Sequence, residues 1–189
     1  SGAQAADARY YDGSSSERAA ASCWEVKQNN PQGKSGAYWL YTPQMSAPEQ
    51  FYCDQETDGG GWVMIGRGRE SWTENYNGRG DAKQIHQNPT GFDAVQLPGQ
   101  TVNALLNGTH PQDLPDGVRF HRAMNVNGTV WQDFKATRAA STEWSWTLRS
   151  TMYWSNISIT HPRQYRGYNY YSQGKTEGNI FRYGYSDDY

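Results

Sequence analysis

Three consecutive glycines, Gly59-Gly60-Gly61, stand directly before the strand-like run Trp62-Val63-Met64-Ile65. Glycine reaches backbone angles with φ above zero, and it has no Cβ to obstruct a neighbouring ring or chain. The acidic segment 54–58 precedes the glycines and follows Cys53. These features predict a tight hairpin end or bulge that a bulky indole or a neighbouring chain segment overlies. A phosphate-binding loop is not favoured, because no Gly-Lys-Ser/Thr follows.

The residues before the glycines predict two further strands. "GAYWLYT" (36–42) and "QFYCD" (50–54) are rich in aromatic residues, which strands favour. With the run that begins at Trp62 they predict a three-stranded antiparallel start. "CWEVKQNN" (23–30) is typical of a short strand or a helical turn that ends before Pro31, because the residue before proline is pushed out of the helical region.

The second half carries weaker signals. Thr101 as a cap, followed by apolar residues and stopped by Asn107-Gly108, predicts a helix near 101–107. Asn127-Gly128 predicts a hairpin between two strands, and "STEWSWTLR" (141–149) and "SNISIT" (155–160) predict further strands. Trp144 and Trp146 would share one strand face, which is more often core than site. The C-terminal segment that follows, rich in Tyr, Gly and Asn, shows no periodic apolar pattern.

Composition narrows the class of protein. With 14 Tyr, 8 Trp and 20 Gly in 189 residues, we expect one folded core built from large rings on a turn-rich backbone. A formal net charge of −2 argues against a nucleic-acid protein, and no stretch approaches the roughly 20 apolar residues of a membrane span. The start, 1–4, lacks a signal-peptide pattern, which we expect of a mature secreted chain or an excised piece. The two cysteines agree with secretion if they pair.

Four motifs recur together in one known family. They are Cys23, Ser35-Gly36-Ala37-Tyr38, Tyr52-Cys53-Asp54 and Thr57-Asp58-Gly59-Gly60-Gly61-Trp62. In order and spacing the chain resembles the fibrinogen-related globular domain of fibrinogen, ficolins and, more distantly, intelectins. It is also similar to bacterial secreted proteins that carry this module. The match runs from Cys23 to about Arg67, roughly a quarter of the chain.

The resemblance implies an α+β fold of the fibrinogen C-terminal type, with a small antiparallel sheet, a short helix and an irregular, loop-rich second half. It also implies a Cys23–Cys53 disulfide and an extracellular location. We expect a flexible leader at 1–21 and a fibrinogen-related domain at 22–189 that diverges after about residue 67. Members of the family bind calcium, so calcium is a candidate cofactor. The family's calcium and ligand sites lie in the part that does not align, and no metal ligand is assigned from it.

Catalytic patterns are weak. The four histidines, His86, His110, His121 and His161, do not stand at the i, i+4 spacing of a helical metal site. No Gly-x-Ser-x-Gly elbow is present, and nothing fixes the distances between the carboxylates available for glycoside cleavage. We therefore expect a protein that is not an enzyme; a hydrolase would need a cleft with convergent carboxylates or a metal-bound water. The carboxylates that could hold calcium are those of 54–58 and 186–188.

The sequence does not decide the role of two kinds of short motif. Arg79-Gly80-Asp81 is a tripeptide that some integrins bind on exposed turns, and it also suits a loop in its own right. Asn107, Asn127 and Asn156 begin Asn-x-Ser/Thr triplets, which are glycosylation acceptors only in a eukaryotic secretory pathway.

The C-terminal tyrosines are the leading candidates for a binding site. "YRGYNYY" is too polar and glycine-broken for all its rings to be buried, and exposed Tyr with Asn and Arg suits sugar faces and hydroxyls. The candidate ligand-binding residues are Tyr165, Arg166, Tyr168, Asn169, Tyr170 and Tyr171. We predict an extracellular, lectin-like recognition module for glycan or acetylated surface groups. The alternative is a structural or adhesive surface protein that packs against copies of itself or against another surface protein, without a small ligand.

Overall fold

The computed structural model describes residues 8–69, 71–123, 129, 131–148, 154–161, 164–165 and 168–169. Within them the chain is α+β, as expected, with short helices and small antiparallel sheets. The helices are α1 (Cys23–Asn29), α2 (Ala82–Gln87) and α3 (Gly99–Leu106). The strands are β1 (Gly36–Leu40), β2 (Glu49–Asp54), β3 (Trp62–Val63), β4 (Gly66–Arg67), β5 (Val95–Gln96), β6 (Val118–Ala123), β7 (Trp131–Arg138), β8 (Trp154–His161), β9 (Gln164–Tyr165) and β10 (Tyr168–Asn169).

The chain divides into two compact units. The first unit comprises residues 1–72 and 77–107, and the second comprises 73–76 and 108–189. The prediction of one domain over 22–189 stays a prediction. Among the described residues, no helix combines the length and the apolar character that crossing a membrane would require.

The first unit is built on the antiparallel sheet β1-β2-β3, which confirms the predicted three-stranded start. Cys53 of β2 is bonded to Cys23, the first residue of α1, so the predicted disulfide joins the helix to the central strand. Both sulfur-bearing residues are buried, beside Phe51 of the same strand. The disulfide thus closes the core of this unit.

The segment 23–29 is a helix rather than a strand. The hydroxyl of Ser22 accepts a hydrogen bond from the backbone N–H of Glu25, which caps the first turn. Val26 lies one turn after the buried Cys23 and is itself fully buried, so both face the sheet. The helix ends at Asn29, before Pro31, as the proline predicts.

The glycine run forms the loop between β2 and β3. Asp58, Gly59, Gly60 and Gly61 all have positive φ, at 46°, 80°, 74° and 82°. A Cβ on Gly61 would lie 2.5 Å from the indole of Trp24, and a Cβ on Gly60 would lie 2.6 Å from a backbone oxygen. Three glycines are therefore needed because the loop turns left-handed and two of them have no room for a side chain.

The second part of the expected leader packs against β1. The N–H of Trp39 donates to the carbonyl of Gly13 at 2.8 Å, and the N–H of Tyr41 donates to the carbonyl of Ala20 at 2.8 Å. Ala20 in turn donates to the carbonyl of Trp39, and it is fully buried. Residues 13–20 are thus a strap along the open edge of β1, where we expected a flexible leader; residues 1–7 lie outside the described residues.

The strap is fastened by Arg18. Its guanidinium donates to the carboxylate of Asp12 at 2.9 Å and to the backbone carbonyl of Tyr10 at 2.8 Å. The same guanidinium lies over the ring of Tyr10, 4.9 Å from its centroid. These contacts fold residues 10–18 back on themselves. A sequence of small polar residues does not predict such contacts.

Helix α3 begins earlier than predicted. Its cap is Pro98 and its first residue is Gly99, so Thr101 lies inside the helix and is not the cap. Proline suits this place because the first N–H groups of a helix have no partner within it. The predicted stop is confirmed, since Asn107 adopts a left-handed conformation with φ of 47°.

The second unit contains the antiparallel sheet β6-β7-β8, which confirms the predicted hairpin strands and the strand at 155–160. Its inner face buries Phe134, Ala136 and Trp154. Between Lys135 and Thr137 the pairing with β8 shifts register, where the exposed Asn156 has a φ of 51°. Positive φ at such a shift is typical of a β-bulge.

Segment 141–148 is not a strand, so that prediction is wrong in type. The burial prediction within it is confirmed: Trp144 and Trp146 are both buried, with ring centroids 5.1 Å apart in an edge-to-face contact. Aromatic pairs prefer this arrangement, and packing of the two indoles does not require a strand ladder.

Candidate functional site

The predicted tyrosine site is described only in part. The backbones of Tyr165 and Tyr168 pair across the short β9-β10 ladder, which also includes Asn169. Arg166, Tyr170 and Tyr171 lie outside the described residues. The tyrosine site therefore stays a prediction.

A different surface of the second unit brings aromatic and charged side chains together. Alternate residues of a strand point to opposite faces of its sheet. The inner face of β6 and β7 carries Phe120 and Phe134, whose rings stack with centroids 4.7 Å apart. The residues between these point the other way, and we call their set the outer face: Arg119, His121, Trp131, Asp133 and Lys135.

Trp131 and His121 lie together at the end of the outer face where β7 begins. Their rings are stacked nearly parallel, with centroids 4.3 Å apart and an interplanar angle of 4°. Trp131 is 41% exposed, and the side chain of His121 is 51% exposed. The two rings form a flat platform that solvent reaches.

Asp133 fixes the orientation of this platform. It lies directly opposite His121 in the strand register, and Nδ1 of His121 lies 2.7 Å from its Oδ1. Because a carboxylate can only accept, the Nδ1–H donates. A guanidinium nitrogen of Arg119 lies 3.8 Å from the same oxygen. One carboxylate therefore holds both an imidazole and a guanidinium in place.

The inner face makes these positions rigid. Phe134 and Ala136 are buried, and Trp154 meets Phe120 edge to face with centroids 5.2 Å apart. Arg138 is 1% exposed and lies over the ring of Trp154, 4.9 Å from its centroid. A densely packed inner face keeps side chains on the outer face in fixed register.

The outer face carries an aromatic platform and polar groups that suit the binding of a flat ligand. A planar aromatic platform packs against the apolar face of a flat ligand, while a carboxylate, an imidazole and a guanidinium supply hydrogen bonds around it. Asp133 is the one carboxylate among the outer-face residues just named, so the pair of acids that glycoside cleavage requires is not provided by them.

No calcium site emerges from the described part of the chain. Within it, no three His, Cys, Asp or Glu side chains cluster as metal ligands would. In the 54–58 segment, Oδ1 of Asp54 accepts hydrogen bonds from the N–H groups of Glu56 and Thr57 and from the hydroxyl of Ser35. This carboxylate closes its own loop. The segment 186–188 lies outside the described residues, and calcium stays a prediction.

The Arg79-Gly80-Asp81 tripeptide is built into the first unit. The carboxylate of Asp81 accepts from the backbone N–H of Gln84 at 2.9 Å and caps α2 in a capping box. The guanidinium of Arg79 donates to the backbone carbonyl of Ser71 at 2.7 Å. Both charged groups therefore have structural roles, which accounts for their presence without an integrin.

The first unit also has an open cleft of about 380 Å³ beside the glycine loop. The ammonium of Lys27 lies in its wall and donates to the carbonyls of Pro31 and Gln55, both at 2.9 Å. Lys34 and Glu56 complete the charged lining. Since Lys27 ties two loops together, its contacts are explained by the fold.

The sequence analysis did not identify Trp131 as a candidate binding residue. A two-residue turn at Asn127-Gly128 would pair His121 with Phe134, which would put the imidazole and the phenyl ring on one face. The observed register pairs His121 with Asp133 instead, one residue away. A slip of one residue exchanges the two faces of a strand. The sequence does contain one signal. Arg119 and His121 flank the apolar Phe120, an alternation that predicts a strand with one buried and one exposed face.

Comparison with known proteins agrees with the resemblance. No protein-family model matches the chain. Angiopoietin-4 of Mus musculus is 34% identical over 71 residues, which cover 34% of this chain and 14% of that protein. Tenascin-N of Homo sapiens is 48% identical over 46 residues, covering 24% of this chain and 4% of that protein. Tenascin-N of Mus musculus is 46% identical over 46 residues, covering 24% and 3%.

The chain thus spans at most 14% of the length of these relatives. They are extracellular proteins with a fibrinogen-like domain, and the similarity supports a fibrinogen-related domain in the matched part of this chain. The disulfide between Cys23 and Cys53 fits the same extracellular setting.

Proposed function

Because the chain carries a fibrinogen-related domain, we propose that it is a secreted, non-enzymatic recognition module that binds glycans. The outer face of β6 and β7 is the proposed binding surface. The observation that carries the proposal is the exposed stack of Trp131 on His121, held by the hydrogen bond to Asp133.

Several properties of this surface suit a sugar. A pyranose ring has an apolar face that packs on an aromatic platform, and its hydroxyls pair with carboxylate, imidazole and guanidinium groups at the rim. The surface lies on two paired strands and is supported by the buried Phe134, so little ordering is required on binding. The predicted C-terminal tyrosines, Tyr165 and Tyr168 among them, would extend the same function.

The test is a glycan array probed with the wild-type chain and with Trp131→Ala, with and without calcium. We expect Trp131→Ala to weaken binding about tenfold or more, since truncating a hot-spot tryptophan costs about 2 kcal/mol or more and 1.4 kcal/mol is tenfold. Phe92→Ala is the matched control, because Phe92 is an aromatic residue 75% exposed in the first unit. It should bind as wild type does.

Other outcomes separate the hypotheses. Binding to no glycan under either condition would remove the proposal, and a concentration-dependent oligomer in light scattering would then favour the adhesive alternative. Glycan binding that survives Trp131→Ala but is lost in Tyr168→Ala would place the site on the C-terminal tyrosines instead. Circular dichroism of each variant shows whether it is folded.

A further inference from the structure

The open cleft of the first unit is lined by two stretches of chain and by Lys27. One stretch comprises residues 31–34, and the other contributes Gln55, Glu56 and Gly59. The cleft volume of about 380 Å³ is that of a small-ligand site, for which roughly 300–1,000 Å³ is typical. The cleft therefore has room for a small molecule.

Two side chains hold these stretches in place. The ammonium of Lys27 donates to the carbonyls of Pro31 and Gln55, one from each stretch. The hydroxyl of Ser35 donates to the carboxylate of Asp54 and accepts from the N–H of Gln55 at 2.9 Å. Because both stretches are tied together before a ligand arrives, binding requires little ordering of the backbone.

The cleft carries opposite charges that do not pair with each other. Lys34 and Glu56 are exposed, and both line the cleft. Within the part of the chain that the structure describes, their charged groups have no hydrogen-bond or ion-pair partner, since only the carbonyl of Lys34 and the N–H of Glu56 are engaged. The Lys27 ammonium has three N–H donors and uses two of them on carbonyls.

The charge of Glu56 acts on the stretch that carries Lys34. Burial first, and then the negative charges of Asp12 and Glu56, raise the pKa of Tyr38. The hydroxyl of Tyr38 in turn donates to the carbonyl of Lys34. The carboxylate of Glu56 is therefore within electrostatic range of the opposite stretch, although it makes no ion pair there.

We propose that this cleft binds a small zwitterion, a molecule with one free carboxylate and one free ammonium group, as an α-amino acid or a short peptide has. The carboxylate pairs with the ammonium of Lys34 and accepts from the third N–H of Lys27, while the ammonium pairs with Glu56. A simple anion would leave Glu56 without a partner and would be repelled by it. Because Lys34 and Glu56 are exposed, each pair contributes only about twofold to fivefold in affinity.

The experiment is a titration of the whole chain with four probes, followed by the NMR shifts of backbone amides. L-alanine and L-alanyl-L-alanine are zwitterions, N-acetyl-L-alanine lacks the ammonium, and L-alaninamide lacks the carboxylate. We expect at least one zwitterion to give saturable shifts at Gly33, Glu56 and Gly59 and to bind about twofold to fivefold more tightly than either blocked probe. The first two probes distinguish an amino acid from a peptide as the source of the zwitterion.

The variants assign each charge to its partner. Glu56→Gln should bind L-alanine no better than N-acetyl-L-alanine, because the partner of the ammonium is gone. Lys34→Gln should reduce the advantage of L-alanine over L-alaninamide. Lys83→Gln and Glu74→Gln are the matched controls, because both residues are exposed and neither lines the cleft. Both controls should bind as wild type does.

Three results would overturn the proposal. If N-acetyl-L-alanine binds as tightly as the zwitterions, the cleft selects a carboxylate alone. If Lys83→Gln or Glu74→Gln weakens binding as much as the cleft variants, the attraction is diffuse. If no probe gives saturable shifts at tens of millimolar, the cleft is not a zwitterion site. The glycan array tests the second unit separately, so failure here leaves the proposed function standing.

Discussion

The indole of Trp24 lies directly on the backbone of Gly61: a Cβ added to the glycine would stand 2.5 Å from Cε3 of the ring. Trp24 belongs to α1, and Gly61 to the loop between β2 and β3. The contact joins helix to loop, and the disulfide joins the same helix to β2. Two neighbouring residues of α1, Cys23 and Trp24, thus fix the first unit from two sides.

Gly61→Ala should be strongly destabilising. The residue has a φ of 82°, where a side chain costs about 1–2 kcal/mol, and forcing a methyl group against the ring adds about 1–3 kcal/mol. Gly59 is the matched control, since its φ is 80° and a Cβ there meets nothing within 4 Å. Gly59→Ala should cost about 1–2 kcal/mol in urea denaturation.

A double-variant cycle separates the two causes. In a Trp24→Ala background, Gly61→Ala should cost less than in wild type but still more than Gly59→Ala, because the ring atom at 2.5 Å is gone while the Cα and Cβ of residue 24, at 3.0 and 3.3 Å, remain. An equal cost of Gly61→Ala with and without the indole would show that the ring does not require the glycine.

Removing the disulfide should weaken the first unit. Cys23 and Cys53 are 30 residues apart, and in the chain-entropy model closing such a loop contributes about 3–4 kcal/mol. The Cys23→Ser, Cys53→Ser double variant should lower the free energy of unfolding by about that amount, measured by urea denaturation. A midpoint equal to that of the oxidised wild type would contradict this. Wild type with dithiothreitol is the control and should behave as the double variant does.

The strap should loosen in acid. Burial alone would raise the pKa of Asp12, but hydrogen bonds from Ser14 and the charge of Arg18 outweigh it and hold the pKa below its ordinary value. A lowered pKa means that the ionised carboxylate stabilises the folded state above its unfolded pKa, near 3.9, and that this contribution is lost as the pH falls through the folded pKa.

Hydrogen exchange measures this effect. Below about pH 4, the amide of Trp39, which donates to the strap, should lose protection relative to the amide of Met64, which donates within the sheet. Asp12→Asn should show the reduced protection at neutral pH and no further loss in acid. Equal protection of both amides across the acid range would rule out a fastening role for Asp12.

Arg138→Lys should destabilise the second unit. The guanidinium lies 4.9 Å from the centroid of Trp154 and 5.9 Å from that of Trp144, and the residue is buried. A lysine keeps the charge but loses the planar stacking, so we expect a loss of about 1–2 kcal/mol in thermal or urea unfolding. Arg122→Lys should cost less, because Arg122, whose guanidinium lies 5.2 Å from the centroid of Phe134, is less buried. The reverse order would show that stacking on the tryptophans is not what stabilises Arg138.

The packing of the strap and the element type of the segment around Trp144 were not predictable from the sequence. Gly13 and Ala20 are held by main-chain hydrogen bonds, which any residue can make, so a run of small polar residues gave no signal of packing. Trp144 and Trp146 were correctly expected to be buried although the strand assigned to them is absent. Burial follows from the size of the rings, whereas the element type depends on neighbours.

The amino-acid sequence by itself determined the first sheet and the left-handed glycine loop, because these depend on residue types with narrow backbone preferences and on partners close along the chain. The Cys23–Cys53 pairing was expected from the resemblance to the family, and the structure contains it. Only the tertiary structure decided that Trp131, His121 and Asp133 share one exposed face. The physical reason is the two-residue period of a strand: a shift of one position in pairing would have sent the same side chains into the core.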